Sequence, residues 1–122
     1  MNRGVNTKSE VELQKHFEDQ GNFVLRSCQS RTPIDLAVFD KKAGLFLQVK
    51  ETIRNKVFLG NDIKKLDELD QSFNTDSVIA IKFKDKNGRY TWIFCPVGCL
   101  VKKNVVTISK DEPCCIKKEK LG

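Results

Sequence analysis

Arg31-Thr32-Pro33-Ile34-Asp35-Leu36-Ala37-Val38-Phe39-Asp40-Lys41-Lys42-Ala43-Gly44-Leu45-Phe46-Leu47-Gln48-Val49-Lys50 is the stretch from which the rest of the chain can be placed. Both arms alternate with a period of two, as a strand with two unlike faces must. Ile34, Leu36 and Val38 share one face of the first arm, and Leu45, Leu47 and Val49 share one face of the second. Lys41-Lys42-Ala43-Gly44 is polar, ends in glycine and suits a four-residue hairpin loop. Pairing Asp40 with Leu45 sets Asp35 opposite Lys50, with Gln48 its diagonal neighbour on the same face.

That polar trio shares its face with Ala37, Phe39 and Phe46. An acid, an amide oxygen and an ammonium on a partly apolar surface can hold a hard cation and polarise a water beside it. The plainer alternative is a cross-strand Asp–Lys ion pair on a solvated face, contributing little to stability. The hairpin alone leaves both open.

Ahead of the hairpin, Thr7-Lys8-Ser9-Glu10 reads as a capping box opening a helix to about Gln20, closed by Gly21-Asn22. Glu10, Leu13 and Phe17 share the inward face, whereas Glu12, Lys15 and Glu18 face outward. Glu10 serves either as the cap partner alone or as a carboxylate aimed at the hairpin. Phe23–Ser27 is a short strand, followed by the loop Cys28–Pro33. Arg26 at its end and Arg31 in the loop are placed to meet phosphates, for which the planar guanidinium fork is suited.

Beyond the hairpin, Lys56–Leu59 reads as a short edge strand. Asn61 or Asp62 caps a second helix with Ile63, Leu66, Leu69 and Phe73 on its apolar stripe. Ser77–Phe83 is apolar enough for a central strand, and Asn87-Gly88 turns it into Arg89–Cys95. Tyr90, Trp92 and Phe94 form a row suited to sheet core or a subunit contact, or to base stacking. Pro96–Val101 closes that unit, Val105–Ser109 adds a strand, and the lysine-bearing tail from Lys110 is expected to be flexible.

These elements give one α/β domain, with a core of about 7–101 and a basic tail of about 110–122. The main order is α-β-β-β-α-β-β. The 122 residues allow one sizeable core, and no apolar run reaches membrane-spanning length. With no apolar leader block, an intracellular, cytoplasmic protein without membrane contact is expected. A net charge of +6 and a pI near 9.1 permit a polyanion partner. The five cysteines are expected to be reduced thiols. Cys95, Cys99 and the adjacent pair Cys114-Cys115 have poor spacing for zinc, and Cys28 reads as a small packing residue.

An acid after Pro33-Ile34, a hairpin, and then Gln48-Val49-Lys50 resembles the PD-(D/E)XK nuclease motif. With its flanks, over roughly residues 3 to 100, the chain resembles the archaeal Holliday-junction resolvases. The resemblance implies a restriction-endonuclease-like mixed sheet flanked by helices. It also implies a homodimeric, Mg²⁺-dependent endonuclease, with Mn²⁺ as a substitute, that nicks four-way branched DNA. Glu10, Asp35, Gln48 and Lys50 would be the catalytic set. Glu10, Asp35, the Gln48 side-chain oxygen and the Val49 carbonyl would hold the metal. Arg3, Arg26, Ser30, Arg31, Arg54 and Lys56 would meet the DNA. Two departures stand out: Gln48 occupies a position where the family usually has an acid, and Val11 follows Glu10 where several resolvases carry arginine. Another nuclease of the same superfamily, acting on flaps or duplex ends, and a non-catalytic DNA-binding dimer are the alternatives.

Overall fold

A computed structural model describes residues 8–26 and 34–118. The opening helix α1 (Lys8–Asp19) leads through Gly21, at φ 91°, into strand β1 (Phe23–Arg26). The hairpin strands are β2 (Leu36–Phe39) and β3 (Gly44–Thr52). A short strand β4 (Lys56–Phe58) precedes helix α2 (Gly60–Phe73). Strands β5 (Asp76–Lys84) and β6 (Tyr90–Pro96) follow, then helix α3 (Val97–Lys102), β7 (Thr107–Ser109) and β8 (Ile116–Lys118).

The main sheet runs β1-β2-β3-β5-β6-β8, and β4 pairs with β7 separately. Only the β3–β5 pair is parallel, because α2 carries the chain back across the sheet between those strands. The rest of the main sheet is antiparallel. The sheet is therefore mixed and flanked by helices, as expected. Ser77–Phe83 lies within a central strand, and Gly88 adopts φ 81° in the turn to β6.

Alternation gives the sheet two apolar faces, each covered by helix. On α1's face Leu13 meets Val24, Leu36, Val38, Leu47, Val49, Ala80 and Trp92. Leu13 is wholly inaccessible, so truncating it to alanine should cost about 2–5 kcal/mol. On the other face Ile63 and Leu66 of α2 and Val97 and Leu100 of α3 cover Ile79, Ile81, Phe83 and Ile93.

Several sequence expectations are corrected here. The hairpin loop is residues 40–43, one residue earlier than expected, and Phe39 pairs with Gly44 and Leu36 with Leu47. Asp40 causes this: its Oδ1 accepts the backbone N–H groups of Lys42 at 2.7 Å and Ala43 at 2.8 Å. The register is thus offset by two residues, which preserves which side chains share a face. Ile34 is the exception, packing with the α2 and α3 cluster rather than with Leu36. Helix α2 starts at Gly60 with Leu59 as its N-cap and no side-chain cap, so neither Asn61 nor Asp62 caps it. A Cβ at Gly60 would come within 2.9 Å of the tip of the exposed Phe58 ring, which would have to swing aside. Phe73, expected on the apolar stripe, is 66% exposed in the last turn.

The segment expected to close the β5–β6 unit, Pro96–Val101, is largely the helix Val97–Lys102. The segment after Lys110, expected to be a flexible tail, carries strand β8, which adds to the β6 edge. Cys95 and Cys115 form a disulfide there, so those two are not thiols.

Candidate active site

The polar face of the hairpin is built from three neighbouring strand ends. Extending the β2–β3 register by one pair sets Asp35 directly opposite Gln48, with Lys50 now the diagonal neighbour. Asp35 stays tied to β3 at both ends of the residue. Its backbone N–H donates to the Leu47 carbonyl at 2.8 Å, and its Oδ2 accepts the Val49 N–H at 2.7 Å. In a strand the N–H and C=O of one residue point the same way. The Val49 carbonyl therefore also points toward the end of β2, beside Asp35.

Gln48 lies 5% exposed in the middle of β3, paired alongside Ile79. Its Oε1 is buried and has no hydrogen-bond partner. Such an orphan acceptor costs about 1–3 kcal/mol. The same residue stands opposite Asp35 in the extended β2–β3 register.

Burial pushes the Asp35 carboxyl above the usual range. The Val49 N–H and the Lys50 ammonium oppose that shift, and Asp62 reinforces it. Glu10, in the first turn of α1, is raised by burial first and by Asp35 second, while Arg26 pulls it down. Asp35 and Arg26 are thus each within electrostatic reach of Glu10. Arg26 ends β1 opposite Leu36, and its Nε is buried without a hydrogen-bond partner. Two carboxyl groups raised by burial, Glu10 further by Asp35 and Asp35 further by Asp62, form a site that favours either protons or a cation.

Lys50 reaches Asp62 of α2 at 3.6 Å while remaining near Asp35. Asp62 is the site residue that sequence reading took for a helix cap. Its signal was its place in the first turn of α2, directly after the strand ends.

The helix carrying Glu10 is clamped on both sides of that residue. Ser9, fully buried, donates its hydroxyl to Glu51 Oε1, and Glu51 also faces Lys84 Nζ at 3.6 Å. Glu12 was expected to face outward, but it turns in under the sheet. It accepts Lys82 Nζ at 2.8 Å, Tyr90 Oη at 3.3 Å and Trp92 Nε1 at 3.5 Å. Lys82 is buried on α1's face with its ammonium 4.2 Å from the Tyr90 ring centroid, so its charge requires that partner. Trp92 is inaccessible, which makes it core and removes it as a base-stacking surface.

Among the candidate DNA contacts, Arg54 is exposed on the segment joining β3 to β4 and Lys56 is exposed at the start of β4. Arg3, Ser30 and Arg31 lie outside the described residues, as do Thr7 of the capping box and Cys28. The described residues contain no cluster of three or more His, Cys, Asp or Glu side chains able to hold a metal. The donor set at the hairpin is two carboxyl groups plus the orphan amide oxygen. That set suits a hard, oxygen-seeking cation that keeps several of its waters.

A search of curated proteins finds no match. Among solved structures, Archaeoglobus fulgidus Hjc, a Holliday junction resolvase from an archaeal hyperthermophile, superposes with a TM-score of 0.61 at 20% identity. The alignment covers 76% of this chain and 73% of that one, so the likeness establishes the fold. A family model described as archaeal Holliday junction resolvase matches residues 1–120, nearly the whole sequence. The chain belongs to the archaeal Holliday junction resolvase family and is a junction-resolving DNA nuclease.

Proposed function

We propose that this resolvase is Mg²⁺-dependent and that Glu10, Asp35, Gln48 and Lys50 carry its chemistry. The observation that supports this most is the buried, unpartnered Oε1 of Gln48, a residue opposite Asp35 in the register, together with the raised carboxyl groups of Asp35 and Glu10. A magnesium ion would be held by Glu10, Asp35, Gln48 Oε1 and the Val49 carbonyl, with Mn²⁺ as a substitute. When bound, it supplies charge stabilisation at the phosphodiester and a more acidic water.

The chain's own residues do the rest. The Val49 N–H holds one Asp35 oxygen and leaves the other free to bind. Lys50, on the same face and 40% exposed at its side chain, orients the attacking water and relays its proton to solvent. Asp62 holds that side chain near the site between turnovers. Arg26, at the rim beside Glu10, is placed to meet a phosphate, with Arg54 and Lys56 extending the basic surface. Arg3, Ser30 and Arg31 remain candidates, Ser30 by the family resemblance and Arg31 by its place in the loop before the hairpin.

A four-way junction has two-fold character, and paired nicks need two such sites, so the working species is a C2 homodimer. Recognition rests on branch shape and backbone phosphates. As a DNA-acting nuclease it works in the cytoplasm; among the described residues no helix is long and apolar enough to cross a membrane.

The test is cleavage of synthetic four-way junctions, flaps and linear duplex with and without Mg²⁺. Junction nicking that needs Mg²⁺ and is abolished in Asp35→Ala, with junction binding retained, is the expected result. Equal cleavage of flaps and junctions would favour a broader nuclease. Binding without nicking by the unmodified protein would mean that Gln48 has cost it turnover.

A further inference from the structure

Four of the five cysteines meet in one corner, two strands across the sheet from Gln48, which pairs with Ile79 as Ile79 pairs with Cys95. The β6–β8 register pairs Phe94 with Ile116, so Cys95 and Cys115 are the next opposing pair, and they are joined as a disulfide. The other two sit on the same two segments. Cys99 lies in α3, four residues after Cys95, and Cys114 immediately precedes Cys115. Cys114 is 9% exposed, inside the cluster formed by Cys95, Val97 and Leu100, and Cys99 packs against that cluster. Both thiols are free and lie within interaction reach of each other.

The loop from Cys99 to Cys114 contains all of β7, whose pairing with β4 ties the C-terminal segment to the strand just after β3. A bond between the two thiols would therefore close that loop at its base. The existing disulfide has already brought both segments together, so little further ordering is required.

We propose that Cys99 and Cys114 are a second, reversible disulfide site, and that this corner is a redox-sensitive clamp on the β7-bearing loop. The oxidant is a low-molecular-weight disulfide of the glutathione class. The more accessible Cys99, as thiolate, attacks one sulfur of glutathione disulfide and releases one glutathione, leaving a mixed disulfide. Cys114 then attacks the Cys99 sulfur, loses its proton to solvent and expels the second glutathione. In sum two protein thiols lose two hydrogens, and both leave on two molecules of glutathione. Excess reduced glutathione reverses it.

The test uses the full chain, incubated natively with glutathione disulfide, then alkylated, digested and mapped by mass spectrometry. The expected product is a Cys99–Cys114 cross-link with Cys95–Cys115 intact. Native trypsin cleavage at Lys102, Lys103 and Lys110 should then slow on the order of tenfold, because the loop opens less often. Cys99→Ser, at a partly exposed position, should fold, leave Cys114 as a free thiol and lose the oxidant effect on cleavage. Accumulation of glutathionylated Cys99 beside an unmodified Cys114 would overturn the proposal. So would stoichiometric Zn²⁺ uptake by the fully reduced protein through all four sulfurs, which would make the corner a metal site.

Discussion

Gln48→Glu turns the orphan amide oxygen into a third carboxylate and so tests the site directly. Position 48 lies opposite Asp35, where facing side chains have Cβ atoms about 5 Å apart. Two like charges at that distance, in a protein environment of effective dielectric about 20, repel by about 3 kcal/mol. Without a divalent cation the variant should be less stable at neutral pH by up to about that amount. The Asp35 and Glu10 carboxyl groups should be pushed further above their ordinary range. Mg²⁺ between the carboxylates removes the repulsion, and about 3 kcal/mol corresponds to roughly a hundredfold in affinity. Calorimetric Mg²⁺ titration at constant ionic strength, with thermal unfolding at each concentration, measures both effects. Gln48→Leu is the control: it removes the unpartnered oxygen and should stabilise the metal-free protein by about 1 kcal/mol while abolishing the response to Mg²⁺. An unchanged Mg²⁺ midpoint in a folded Gln48→Glu variant would refute the assignment, whatever its effect on stability.

Lys82→Met should destabilise by about 2 kcal/mol, below the ~3–5 kcal/mol of a fully buried pair. Glu12 is 29% exposed at its side chain and keeps Tyr90 and Trp92 as donors; urea unfolding measures the cost, and a Glu12→Gln/Lys82→Met cycle should show coupling. Replacing Cys95 and Cys115 together by alanine reopens a loop with a sequence separation of 20. The loop-entropy relation puts that at about 3 kcal/mol, read as a lower unfolding temperature than the oxidised parent. The Ser9 hydroxyl, ahead of Lys84 and Lys82, holds the Glu51 carboxyl below its ordinary value. A depressed acid contributes stability that is present above its unfolded pKa and lost as pH falls through the folded one. Ser9→Ala should therefore flatten the acid limb of the stability–pH curve, and an unaltered limb would contradict the clamp. The Cys114 thiol is raised from 9.0 to about 11 by its hydrogen bond to Cys99 and then by burial. The folded chain holds that proton more tightly than the unfolded one, so this contribution to stability falls as pH rises between those values. Native iodoacetamide labelling at pH 8 should mark Cys99 well before Cys114.

Much of the site was legible because side-chain alternation is robust to small errors of pairing. The expected hairpin register was wrong by two residues, yet an even offset leaves Asp35, Gln48 and Lys50 on one face. What fixed the true register was an exposed aspartate capturing two backbone amides, which no hydrophobic pattern encodes. Glu12 was misread because its partner, Lys82, lies 70 residues away and looks like any strand lysine until the sheet stacks. Asp62 was missed because an acid in a first helical turn already has a sufficient local reason to be there. β8 was missed for a different cause: Ile116-Lys117-Lys118 has no buried face, and its place depends on the β6 edge and on Cys115.

The Glu12–Lys82 contact also gauges the phase of the opening helix. With Glu12 pinned beneath the sheet, the direction of Glu10 follows from the two-residue step between them. Each residue inserted between the two would swing Glu10 by about 100° around the helix axis. Functional resolvases built on this chain should therefore tolerate lengthening of α1 after Phe17 far better than a single insertion at Val11.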